Sequence, residues 1–170
     1  GGLLMYGIPN MKLEKSIVQR RVDLMESLGI EFRLGVDASR ADVAEGLLEE
    51  SDAVILACGA RTPRPLASPG ADAAGVVYAV DYLEAATRAV LAGDTDSSVI
   101  SARGLDVVVI GGGDTGNDCV GTCIRQGCKS VTQLEIMRKA TGARTAKNPW
   151  PEWPRVCKTD YGQEDRKSVV

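Results

Sequence analysis

The residues best suited to chemistry in this chain are a cluster of glycines, spaced as in turns that hold a diphosphate. The cluster consists of Gly111, Gly112, Gly113, Asp114, Thr115 and Gly116. In such a pattern Gly111 permits a tight turn, Gly113 lets the backbone approach a pyrophosphate, and Gly116 lets a helix pack against a strand. Unpaired N–H groups at the start of that helix attract phosphates. We therefore predict that the cluster binds NADPH or NADH; a turn with a purely steric role is the alternative.

The absence of histidine excludes several classes of catalytic and metal site. The chain contains no histidine, which removes Ser-His-Asp and Cys-His catalysis and the common metal-ligand sets. We therefore expect no catalytic side chain and no metal site in this chain, and we expect bound cofactors to carry the chemistry.

Patterns on both sides of the glycine cluster predict the elements that hold it. The β-branched run 106–110 predicts a strand, the apolar stripe over 117–126 predicts a helix, and 129–136 predicts a second strand. Strand, turn, helix and strand in this order make a βαβ unit. We therefore predict an α/β, Rossmann-like fold in which helices flank a parallel sheet.

Other periodic segments lie in the first half of the chain. Helical patterns cover 14–28, 43–48 and 78–92, and Gly29 follows the first of them where a left-handed residue is favoured. Residues 30–36 alternate like a strand. The continuous apolar run 52–59 predicts a strand buried on both faces of a parallel sheet. Prolines within 61–70 indicate a crossing between structural units.

Composition limits the classes of partner and the cellular location. The formal net charge of −3 provides no basic field for nucleic acid or anionic lipid. No apolar run approaches the roughly 20 residues of a membrane-spanning helix. We therefore predict a cytoplasmic protein whose partner is a small molecule or another protein, and neither a nucleic acid nor a membrane.

Residues after the second predicted strand bear on the choice between NADH and NADPH. Glu135 stands where an acid binds a ribose 2′-hydroxyl. Arg138, Lys139 and Arg144 follow it, and they suit a 2′-phosphate. The two signals conflict, and surface charges without a ligand are the alternative for each.

Residues 148–154, which we call the strap, read NPWPEWP and hold both tryptophans of the chain. We predict a proline-stiffened loop that packs two indoles. A nucleotide lid and a proline-rich ligand for a partner module are the alternatives.

Cysteines near the glycine cluster suggest packing rather than redox chemistry. Cys119 and Cys123 are four residues apart and therefore share one face of the predicted helix. Since cysteine is among the most buried residue types, we predict that both lie in the core.

Several long segments together resemble the small (beta) subunit of glutamate synthase, an NAD(P)H-dependent flavoprotein. The segments are GGLLMYGIPNMKL at 1–13, DAVILACGARTPRPL at 52–66, VVVIGGGDTGNDCVGTCIRQGCKSV at 107–131, NPWPEWPRV from 148 and DYGQE at 160–164. The resemblance spans essentially the whole chain. It implies a two-dinucleotide-binding flavoprotein module, of which this chain is expected to be an incomplete, internal piece.

The resemblance also implies a division into two domains and a cofactor for each. Residues 1–65 would be part of an FAD-binding domain and 66–170 an NAD(P)H-binding Rossmann domain. The FAD site would include Gly1, Gly2, Leu3, Lys12 and Gly59. The residues of the glycine cluster would hold the pyridine nucleotide, and Arg138, Lys139 and Arg144 would match its 2′-phosphate contacts. Iron–sulfur clusters would be bound only by sequence preceding residue 1.

The function implied by the resemblance is oxidation of NADPH (or NADH) within glutamate synthase. Hydride would pass to FAD, and electrons would continue to the large (alpha) subunit, which forms glutamate. Two alternatives stay open: a related FAD/NAD(P)H reductase module that feeds another acceptor, and a non-catalytic nucleotide-binding fragment.

Overall fold

A computed structural model describes residues 2–60, 62–93 and 100–157 of the chain. Its helices and strands, in chain order, are α1 (Gly2–Tyr6), α2 (Lys15–Ser27), α3 (Ala41–Glu50), α4 (Ala79–Leu91), β1 (Asp106–Ile110), α5 (Asp114–Gln126) and β2 (Ser130–Leu134). They belong to two compact units: Gly1–Val18 with Gly75–Val170, and Gln19–Ala74. Across the described ranges, no helix combines the length and the apolar character needed to cross a membrane.

The first unit contains the predicted βαβ arrangement. β1 and β2 pair in parallel, with Val107 opposite Val131 and Ile110 opposite Leu134. Parallel neighbours need a crossover connection, and α5 provides it. Alternate side chains, including Val107 and Val109, turn toward the helices and pack against the core. The predicted α/β, Rossmann-like class with a parallel sheet is confirmed, and among the described residues of this unit the sheet has two strands.

The bounds of α5 differ from the prediction at one end. The helix begins at Asp114, inside the glycine cluster, because Gly113 is extended (φ −75°, ψ −179°) and serves as its N-cap. The far end matches the prediction: Gly127 follows with φ 79° and ψ 45°, the left-handed conformation that favours glycine. The last three residues of the cluster therefore form the first turn of the helix.

The core of this unit lies where α4 packs against α5. Its buried members are Tyr82, Leu83, Ala102, Cys119 and Cys123. The hydroxyl of Tyr82 donates to Oε1 of Gln126 at 2.8 Å, and the same oxygen accepts the N–H of Ala102 at 2.8 Å. One side-chain oxygen therefore satisfies two donors at the edge of an apolar cluster, where an unpaired donor would cost stability.

The predicted burial of the helix cysteines is confirmed. Cys119 and Cys123 are 4% and 2% exposed. Burial raises the pKa of the Cys119 thiol to about 12 and also raises the pKa of the Cys123 thiol. Because the thiolate is the reactive form, both side chains act as small apolar groups.

The N-terminal segment contains a helix that its sequence pattern did not predict. α1 is short, and the ammonium of Lys15 donates to the carbonyl oxygens of Leu4 and Ile8. The guanidinium of Arg88 lies 4.0 Å from the ring centroid of Tyr6. Lys15 is buried, and this burial lowers its pKa. Contacts with the next helices thus hold a segment too short for helical periodicity to reveal.

In the second unit, predictions of helices are confirmed and two predictions of strands are contradicted. α2, which ends in this unit, covers the helical pattern predicted at 14–28. α3 covers the helical pattern predicted at 43–48. The strands predicted at 30–36 and 52–59 are wrong, because both segments are irregular and Ile55 and Leu56 are 90% and 85% exposed. A strand needs neighbours that pair with its backbone. Within the described part of this unit no other strand is present to pair with either segment.

The burial of the thiols predicts a labelling pattern. Iodoacetamide should modify the exposed Cys58 and Cys157 readily, whereas Cys119 and Cys123 should react only after unfolding. Mass spectrometry of tryptic peptides from native and denatured protein measures each site separately. Native labelling of Cys123 at the rate of Cys58 would contradict the core described above.

Candidate functional site

Two glycines, Gly111 and Gly116, give the turn after β1 its shape. Gly111 has φ +120°, in the region that favours glycine, and its N–H donates to the Leu134 carbonyl at 2.9 Å. A Cβ at Gly116 would overlap the carbonyl oxygen of Gly111. The turn and packing roles predicted for these two residues are confirmed, because neither position accepts a side chain without strain or a clash.

The start of α5 presents N–H groups to the space beside the turn. The first N–H that bonds within the helix belongs to Asn117, which donates to the Gly113 carbonyl at 3.0 Å. The N–H groups of Asp114, Thr115 and Gly116 precede it and have no acceptor within the helix. Together with the helix dipole, they favour an anion at this end.

Space for such an anion lies at Gly113. A Cβ built on this residue meets no atom within 4 Å, whereas one built on Gly112 would overlap the carboxylate of Glu135. Glu135 follows the end of β2, and its Oε1 accepts the Met137 N–H at 2.9 Å. The fold therefore brings Glu135 to the turn, on the side of Gly112, and leaves the side of Gly113 open.

A side chain that sequence reasoning missed braces the turn from β2. Nε2 of Gln133 lies 2.9 Å from the Gly111 carbonyl oxygen and 3.2 Å from Oδ1 of Asn117. The sequence did carry a signal. Gln133 is two residues from Val131, so the two share the helix-facing side of the strand, where a polar side chain needs hydrogen-bond partners.

The three residues predicted to contact a 2′-phosphate do not share one environment in the structure. Arg138 and Lys139 are exposed in the irregular segment after β2. Nη1 of Arg144 instead donates to carbonyl oxygens of the strap, at 2.8 Å for Glu152 and 3.3 Å for Pro149. Its contact with a phosphate stays a prediction.

The strap is internally bonded, but its indoles do not pack as predicted. Asn148 is 4% exposed, and it donates to the Glu152 carboxylate and accepts the Arg155 N–H. Trp150 and Trp153 are 81% and 78% exposed. The prediction of two packed indoles is wrong, because both rings are largely exposed. Hydrogen bonds of Asn148 and Arg144 hold the loop, and the Arg144 guanidinium lies 5.8 Å from the centroid of the Trp150 ring.

The residues that the resemblance assigns to FAD are divided between the two units. Gly2, Leu3 and Lys12 belong to the first unit, and Gly59 belongs to the second. Nζ of Lys12 forms an ion pair of 2.7 Å with the carboxylate of Asp118 on α5. Gly1 and the DYGQE motif lie outside the described residues. Within the described ranges, no group of three or more His, Cys, Asp or Glu residues is arranged to hold a metal ion.

Comparison with known proteins gives a consistent result. The family profile described as pyridine nucleotide-disulphide oxidoreductase matches residues 3–153. The chain is 48% identical to the NADPH glutamate synthase small chain of Bacillus subtilis, over 99% of this chain and 34% of that protein. It is 44% identical to the corresponding small chain of Mycobacterium tuberculosis, over 97% and 35%. It is 47% identical to the NADH glutamate synthase of Schizosaccharomyces pombe, over 97% and 8%.

The relatives show how much of a longer protein this chain matches and how similar the matched part is. The chain spans about a third of the length of the two bacterial small chains. The resemblance stated from sequence motifs to glutamate synthase small subunits is confirmed by identities between 44% and 48%.

Gly116→Ala tests the packing of α5 against the turn. The added methyl group would meet the Gly111 carbonyl, so the free energy of unfolding should fall by about 1–3 kcal/mol. Gly113→Ala is the matched control, because its methyl group enters open space and the cost at an N-cap is below about 1 kcal/mol. Urea denaturation measures both. Equal stability of the two variants would refute the proposed contact.

Arg144→Ala tests the internal bonding of the strap. Removing a donor shared among strap carbonyls should increase hydrogen exchange at the N–H groups of Glu152 and Arg155 by roughly tenfold. Arg138→Ala, a change at an exposed neighbour, should leave that exchange unchanged. Mass spectrometry of peptides from 145–157 gives the measurement without any nucleotide. An Arg144 variant with native exchange rates would show that the guanidinium does not hold the loop.

Proposed function

The chain belongs to the pyridine nucleotide-disulphide oxidoreductase family, and we propose that its glycine turn binds the diphosphate of NADPH or NADH. One observation carries the proposal. The turn ends at a helix whose first N–H groups, at Asp114, Thr115 and Gly116, have no intrahelical acceptor, and the space at Gly113 is open. A diphosphate supplies both negative charge and acceptor oxygens at this position.

We propose further that this nucleotide-binding region is part of a glutamate synthase small subunit. Relatives named as such cover nearly the whole chain and support this choice. Residues 1–65 would then contribute to an FAD domain and 66–170 to the NAD(P)H domain. The subunit would pass electrons to the large, glutamate-forming subunit through iron–sulfur clusters bound outside this chain.

For FAD, the N-terminal segment offers one feature that fits a ligand. Oδ1 of Asn10 is buried and has no hydrogen-bond partner among the described residues. A buried acceptor of this kind is stabilised by an N–H or O–H donor, and flavin and ribityl groups carry both. Gly1, Gly2, Leu3, Lys12 and Gly59 stay proposed FAD residues.

When both cofactors are bound, the chemistry they supply is hydride transfer from nicotinamide to flavin. The residues of this chain would bind and orient the nucleotide and need not act as acid or base. Gly111 and Gly116 shape the turn, and the N–H groups that follow Gly113 hold the diphosphate. Gly112 lies beside Glu135, whose carboxylate is available to a ribose hydroxyl.

The preference between the two nucleotides depends on opposing charges after β2. Glu135 at the turn favours a ribose 2′-hydroxyl, whereas Arg138, Lys139 and Arg144 would attract a 2′-phosphate. We retain the three basic residues as proposed contacts for NADPH.

Gly113→Ala tests nucleotide binding at the turn. A methyl group in the open space should displace the diphosphate, so the KM for NADPH or NADH should rise by roughly tenfold or more while kcat changes little. The measurement is flavin reduction at varied nucleotide concentration in the purified flavoprotein. Thr132→Val, on an exposed position of β2, is the control. An unchanged KM would exclude the turn as the diphosphate site.

A further inference from the structure

Gly111 is held by β2 through both of its peptide groups, at its N–H and at its carbonyl oxygen. The N–H of Gly111 donates to the Leu134 carbonyl at 2.9 Å. Its carbonyl oxygen accepts from Nε2 of Gln133 at 2.9 Å. The main chain of the second strand therefore fixes one side of this glycine and a side chain of the same strand fixes the other.

The hydrogen bond from Gln133 determines where the next N–H points. In a trans peptide the C=O and the following N–H lie in one plane and point in opposite directions. Because the Gly111 carbonyl is directed at Gln133, the N–H of Gly112 is directed away from it. Within the described ranges no acceptor bonds to that N–H. A bound diphosphate would supply one.

A second contact fixes the amide of Gln133 itself. Nε2 is 3.2 Å from Oδ1 of Asn117, on the first turns of α5. Reversing the amide would place its oxygen against two acceptor oxygens, so the nitrogen must face them. Gln133 thus connects β2, the turn and the helix. The space is tight, because a Cβ on Gly116 would lie 2.9 Å from this nitrogen.

We propose that Gln133 is a positioning residue that aims the Gly112 N–H at the diphosphate of the bound nucleotide. The inference rests on the nucleotide binding proposed above. Gln133 does not touch the ligand; it acts through the backbone of Gly111. Without its donor, the glycine peptide has freedom to rotate, and the free N–H loses its direction.

Gln133→Leu in the purified protein tests this role, with ADP-ribose and adenosine as the probes. The dissociation constant of ADP-ribose should rise roughly tenfold, as expected for loss of one well-directed hydrogen bond to a charged group. That of adenosine, which lacks the diphosphate, should change less than about twofold. Ligand-observed NMR titration follows both constants. Thr132→Val, on the opposite face of β2, should alter neither.

Other results would distinguish a failure of the role proposed for Gln133 from a failure of the proposed nucleotide binding. Equal weakening of both probes would show that Gln133 only stabilises the fold, and unchanged ADP-ribose affinity would show that the turn does not need it. Gln133→Met, which keeps length and flexibility without a donor, repeats the test if the leucine variant does not fold. Failure of both variants to fold would assign Gln133 a structural role. Wild-type protein that binds no ADP-ribose would refute the proposed function itself.

Discussion

The close approach of α5 to the end of β1 is the constraint on which the proposed site depends. At Gly116 the helix lies so near the Gly111 carbonyl that no Cβ fits between them. This contact places the first turn of the helix directly beyond the strand. Amide groups without acceptors are thereby concentrated at one edge of the sheet, and attraction of an anion follows from their direction and from the helix dipole.

The polar groups near this contact fall into two classes: those bonded within the protein and those available to a ligand. Gln133 and Asn117 bond across the turn, whereas a Cβ built on Gly113 meets no atom within 4 Å. Arg144 and Asn148 form hydrogen bonds within the strap, and the Trp150 side chain is exposed. Groups that complete internal hydrogen bonds hold their loops in one shape, and groups without internal partners are those a ligand can satisfy.

Local patterns predicted the elements whose partners lie close in sequence. The β-branched run of β1, the glycine cluster and the stripe of α5 are consecutive, and together they predicted the βαβ unit with the strand bounds of β1. The burial of Cys119 and Cys123 followed from the same periodicity. The apolar run 52–59 was wrongly predicted as a strand, since an isolated segment cannot satisfy its backbone hydrogen bonds without neighbouring strands.

By itself the sequence determined the order of strand, turn and helix, because glycine spacing and hydrophobic period act over a few residues. Only the tertiary structure decided which distant side chains meet there. Gln133 reaches Gly111, and Lys12 pairs with Asp118, through contacts between residues far apart in the chain. Such contacts depend on packing geometry, which the periodicity of a local segment does not reveal. They determine how the turn is held in place.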